Sequence, residues 1–71
     1  MEPRPEDTTP LGDDELAVLR LMADGQTVET VARRLEVSER TVRRKVRSAC
    51  DSVGVETTVE AIVWAVRRQL I

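Results

Sequence analysis

Apolar residues recur along this 71-residue chain at helical intervals in four stretches, and the residues between them are those that begin and end helices. From about Asp13 to Ala23 the run DDELAVLRLMA puts Leu16, Leu19 and Met22 on one face, with Val18 and Leu21 beside them. Its leading acids suit the positive end of a helix, and Gly25 stops it. A second helix starts after Thr27, whose hydroxyl can cap it, and turns Val28, Val31, Ala32 and Leu35 inward. Ala32 is small where two crossing helices leave no room. After a link of Glu36-Val37, a third helix runs from about Ser38 to Val53. Ser38 stands as its N-cap, and Gly54 ends it where a left-handed residue commonly closes a helix. At about 100° per residue, Val42, Val46, Ala49 and Val53 fall on one stripe, with Cys50 at its edge.

The opposite side of this third helix is almost uniformly cationic: Arg40, Arg43, Arg44 and Arg47 lie there, and Lys45 sits on the flank. Two short helices joined by a tight turn, the second with its charge outward, form the layout by which a helix-turn-helix reads DNA. The plainer alternative is a solvated basic face on a helical hairpin. The one-sided placement of the cations directly after the turn favours nucleic acid.

A fourth helix is expected from Thr57 to Leu70, with Thr57 and Glu60 spaced as a capping box. It is apolar on two sides. Val59, Ile62, Val63, Val66 and Leu70 make one stripe; Ala61, Trp64, Ala65 and Ile71 make another about 140° away on the same wheel. One stripe seals the domain. We assign Ala61, Trp64 and Ala65, with Arg68 beside them, to the other, facing the same helix of a second subunit. Equally, Trp64 as the only aromatic residue could simply cap the core, and the pattern leaves both readings open.

Met1 to Pro10 holds three prolines and four charges, with Met1 its only large apolar residue, so a disordered or extended leader is expected over residues 1–10. Residues 11–71 then form one all-α domain of four helices. A chain this short has a core supplying only a few kcal/mol. It contains no run long enough to span a membrane and no signal-like apolar segment, which implies a cytoplasmic protein. With no histidine and a lone Cys50, neither a metal cluster, nor a disulfide, nor an imidazole base is available. No paired carboxylates, activated nucleophile or phosphate-cradling glycine loop suggests an enzyme, and no cofactor is implied.

The net charge of −2 is unusual for a DNA binder until it is divided along the chain. Residues 1–36 carry 4 basic and 9 acidic groups (−5), residues 37–50 carry 5 and 1 (+4), and residues 51–71 carry 2 and 3 (−1). The positive field is local, which suffices for phosphate attraction, although the acidic remainder should weaken non-specific binding.

The order of residues from Leu11 to Ile71 resembles the LuxR/GerE-type DNA-binding domain. The resemblance rests on Glu15-Leu16, Val18-Leu19, Gly25, Val31-Ala32, Leu35, Val37-Ser38, Thr41-Val42, Gly54-Val55 and Glu60-Ala61, in order and without a gap. It implies a four-helix transcriptional regulator that dimerises through its last helix and places its third in the major groove of double-stranded DNA. Arg43, Arg44 and Arg47 would then approach bases, and arginine can pair bidentately with O6 and N7 of guanine. Arg40, Thr41, Lys45 and the caps Thr27 and Ser38 would meet phosphates. RNA polymerase or another regulator is the further partner that such a role calls for.

Several positions depart from the family pattern. Gly12-Asp13-Asp14 stands where a hydroxyl cap and a cation are usual, and Glu36 replaces the turn glycine, at a cost of about 1 kcal/mol if left-handed. Lys45 replaces a frequent histidine, Ser52-Val53 a Lys-Leu pair, and Thr58 an arginine. Such domains usually follow a receiver or ligand-binding domain, so this chain is expected to be either a C-terminal module or a stand-alone regulator controlled by abundance or a partner. Two other classes compete: a sigma region 4-like promoter reader, which would normally end at its recognition helix, and a protein-interaction module on the same scaffold. The last would turn Arg43, Arg44 and Arg47 into salt bridges with Glu39 and Asp51 rather than toward open solvent.

Overall fold

The computed structural model describes residues 10–71, so the expected leader lies outside the described residues except for Pro10. The four periodic stretches all fold as helices: α1 (Asp13–Ala23), α2 (Val28–Leu35), α3 (Glu39–Val53) and α4 (Thr58–Arg67). There is no strand among the described residues. The all-α, four-helix reading therefore holds.

Three of the four helices begin on the hydroxyl caps that their sequences offer. Thr27, Ser38 and Thr57 accept the backbone N–H of Thr30, Thr41 and Glu60 at 3.1, 3.0 and 3.1 Å. Glu60 Oε1 also accepts the Thr57 N–H at 3.1 Å, completing the capping box. Gly12 has no side chain to cap α1; instead Glu15 reaches back and its Oε1 accepts the Gly12 N–H at 2.9 Å. Asp13, Asp14 and Glu15 together put negative charge on the positive end of α1.

Each helix closes on a residue with positive φ: Gly25, Glu36, Gly54 and Gln69. The last corrects the expected extent of α4. At Gln69 (φ 59°) the chain turns left-handed, Gln69 N–H donates to the Val66 carbonyl and Leu70 N–H to the Ala65 carbonyl, both at 2.9 Å. This hydrogen-bonded closure ends the helix at Arg67 and folds Leu70 and Ile71 back against the core.

Packing arranges the helices around α1 and α3, each of which touches every other helix, whereas α2 and α4 do not meet. The buried residues fall into two clusters. Val18, Val31, Ala32 and Val42 join α1, α2 and α3; Leu11, Leu19, Ala49, Cys50, Ala61 and Ala65 join α1, α3 and α4. Val46 packs against both. Leu19, Val18, Val31 and Val42 are the largest fully buried side chains, each stabilising the fold by about 1.5–3 kcal/mol. Ala49, Ala61 and Ala65 are fully buried where α1, α3 and α4 meet.

Candidate nucleic-acid interface

The turn that aims α3 is built from Glu36, Val37 and Ser38. Glu36 adopts φ 58°, ψ 44°, and its N–H and that of Val37 donate back to the carbonyls of Arg33 (3.3 Å) and Ala32 (3.0 Å). The position that usually holds glycine is thus left-handed here as well, with a glutamate accepting the strain. Ser38 follows at once as the α3 cap, so only three residues separate the two helices. Val42, Ala49 and Cys50 then fasten one side of α3 to the core.

The other side is open. Arg40, Arg43, Arg44 and Arg47 are all exposed. Arg43 Nη2 pairs with Glu39 Oε1 at 3.2 Å, one helical turn away, with both side chains well exposed. Such a pair contributes a few tenths of a kcal/mol and readily exchanges for a phosphate. Arg40, Arg44 and Arg47 have no ion pair among the described residues. At spacings of four and three they line one ridge of the helix. Of the pairings that a protein-interaction role calls for, the one between Arg43 and Glu39 forms, on the exposed surface, and none to Asp51 forms among the described residues.

Four of the five predicted phosphate contacts, Thr27, Ser38, Thr41 and Lys45, are already engaged within the chain. Besides capping, the Ser38 hydroxyl donates to Thr41 Oγ1 at 3.0 Å, and that of Thr27 donates to Thr30 Oγ1 at 3.1 Å. Lys45 Nζ lies 3.1 Å from Asp14 Oδ2 at the start of α1, and its side chain is only 25% exposed. Sequence reasoning noted acid at the start of α1 without placing it against α3. The separation of 31 positions gives no local signal for it.

Cys50 lies against α4, its thiol donating to the Thr57 carbonyl at 3.5 Å. Burial pushes this thiol above its ordinary value, and the Asp51 and Glu60 carboxylates add to the shift. It is a small core residue, as its position on the apolar stripe suggested. Among the described residues no group of His, Cys, Asp or Glu is arranged to hold a metal ion.

The sequence pattern of the luxR family of bacterial regulatory proteins, GerE, matches residues 9–65. The chain belongs to this family. It is also 34% identical over 62 residues to the transcriptional regulatory protein DesR of Bacillus subtilis (strain 168), a match that takes in 87% of this chain. The chain spans 31% of the length of that relative. As a LuxR-family helix-turn-helix it is a DNA-binding module of transcription regulation, from a family of regulators rather than of enzymes.

In this LuxR-family domain the two stripes of α4 do not divide as expected. Ala61 and Ala65 are completely buried within the single chain, against α1 and α3, and so cannot form a subunit contact. Val59, Val63 and Val66, expected to seal the domain, are 69%, 41% and 49% exposed. Ile62 and Leu70 from that same stripe do pack on the core. Trp64 is partly buried at the rim, where the exposed Arg68 guanidinium lies over its ring at 4.3 Å. An open groove of about 500 Å³ runs beside them, lined by Val55, Val59, Val63, Trp64, Arg67 and Arg68.

Proposed function

We propose that this LuxR-family domain regulates transcription by gripping double-stranded DNA as a homodimer, with α3 in the major groove. The observation that carries the reading is the ridge of Arg40, Arg44 and Arg47, exposed and unpaired among the described residues, on a helix anchored along its other side. A rigid arginine on such a ridge can donate to the O6 and N7 of guanine. Arg43, Arg44 and Arg47 are the candidates for bases, and Arg43 releases Glu39 at little cost. Arg40, Thr41 and the first amide groups of α3, capped by Ser38, are placed to meet phosphate. Thr27 serves α2 in the same way.

The dimer contact in this reading is the exposed face of α4, Val59, Val63 and Val66 with Trp64 and Arg68 at its border. Three valines open to water on one helix face are the apolar surface that a two-fold partner would cover. No helix among the described residues is long and apolar enough to cross a membrane. A role on the chromosome of a bacterium places the chain in the cytoplasm, with RNA polymerase or another regulator as its further partner.

The test is substitution of each ridge arginine by alanine, with binding measured on preferred and scrambled duplexes. An arginine that reads a base loses about 1–3 kcal/mol on the preferred site alone; one that meets phosphate loses affinity uniformly and lowers the salt slope by about 1. Unchanged binding for Arg44→Ala and Arg47→Ala alike would refute the groove assignment.

A further inference from the structure

The start of α1 faces the flank of α3 across a cleft of about 450 Å³ lined by Asp13, Asp14, Glu15, Arg44, Lys45 and Ser48. Three consecutive acids form one wall, and two of the five cations of the recognition helix form the other. Asp14 Oδ2 reaches across to Lys45 Nζ at 3.1 Å, the only ion pair between different helices among the described residues. The two ends differ in environment: the Asp14 side chain is 77% exposed, the Lys45 side chain 25%. Beside them, Glu15 keeps one oxygen, Oε2, buried with no hydrogen-bond partner. The ammonium of the chain's single lysine is thus drawn off the outward face and toward a carboxylate wall.

Resting on the DNA-binding reading above, we propose that Asp14 is an affinity-setting residue that holds Lys45 back from the DNA phosphates. A bound Lys45 cannot displace counterions from the duplex, and the carboxylate that binds it adds repulsion where phosphates approach. Because phosphate contacts carry no sequence information, the contact lowers affinity for all sequences together and leaves base preference to the arginine ridge. The exposed position of Asp14 makes the brake adjustable: any partner cation that engages this carboxylate frees Lys45. The Glu39–Arg43 pair is not equivalent, since it lies within one helix and both of its side chains are well exposed.

The experiment uses the full 71-residue chain and fluorescent duplexes of random sequence, with affinity measured against salt for the native protein, Asp14→Asn, Lys45→Gln and the double variant. Asp14→Asn is expected to tighten binding about threefold at low salt, within the range that exposed ion pairs support. It should also steepen the plot of log affinity against log salt by about 0.9, the signature of one added phosphate contact. Lys45→Gln alone should weaken binding modestly, since it leaves the Asp14 carboxylate uncompensated near the phosphates, and in the Asp14→Asn background it should remove the added slope and most of the gain. Unchanged affinity and slope in Asp14→Asn, with a lowered melting temperature, would overturn the proposal and leave the pair a structural clamp between α1 and α3. An equal gain with and without Lys45 would also overturn it, because Asp14 would then act as a bare charge. Arg44→Ala and Arg47→Ala run alongside: if both bind as the native chain does, the DNA reading itself fails, whereas losses there with no effect at Asp14 refute this inference alone.

Discussion

Glu36 holds a left-handed conformation between α2 and α3 that glycine would adopt without steric cost. Glu36→Gly should therefore raise stability by about 1 kcal/mol, read as a higher melting temperature with an unchanged helical spectrum; no change would mean that the turn is not strained. Cys50 offers a second residue-scale test, because its thiol is held above its ordinary value of 9.0 by burial and by two neighbouring carboxylates. A raised folded-state pKa favours the protonated form, so the contribution is complete below the unfolded value and is lost as pH rises through the folded one. The chain has no histidine or tyrosine and a single lysine, which leaves few groups to mask this alkaline limb. Stability measured across pH 8–11 should fall in the native chain and fall less steeply in Cys50→Ala. Both residues could be singled out from sequence, Glu36 by its place in the turn and Cys50 by its place on the stripe. The partner of Lys45 could not, since an ion pair 31 positions apart depends on how α1 meets α3.

At the scale of elements, caps and stripes made α1 to α3 legible: Asp13–Ala23 and the limits of α3 follow from Gly25, Ser38 and Gly54. The fourth helix was harder for two physical reasons. Its C-terminal stop is Gln69, a residue with no intrinsic preference for positive φ, and its inward face is marked by alanines rather than by large side chains. Ala32, expected to face inward, is buried, and Ala61 and Ala65 are buried likewise. Hydrophobic size alone pointed to the valines. The correction has opposite consequences for two substitutions. Ala65→Leu should overpack the core and cost about 1–3 kcal/mol in thermal unfolding. Val63→Asp, on the exposed face, should leave the melting temperature nearly unchanged while abolishing self-association in sedimentation and binding to paired half-sites. The reverse pattern would restore the alanine face as the subunit contact.

For the whole molecule, two small clusters share the work of a single core. Leu19→Ala should remove about 2–5 kcal/mol, comparable with the total stability of a domain this size, and leave a largely unfolded population at 25 °C by circular dichroism. The charge is as unevenly distributed as the packing: a chain of net −2 concentrates its positive field on one face of α3 and opposes it with the acidic start of α1. That field, rather than the net charge, connects this fold to nucleic acid. The central claim, that the α3 ridge of a paired domain reads DNA, is tested most directly by selecting bound sequences from random duplexes at about 0.1 M salt, where exposed charges more than about 10 Å apart are largely screened. The account predicts an enriched inverted repeat that is lost when Arg44 and Arg47 are replaced by alanine. Recovery of no motif by a folded native chain would contradict it and favour a protein-interaction role for the scaffold.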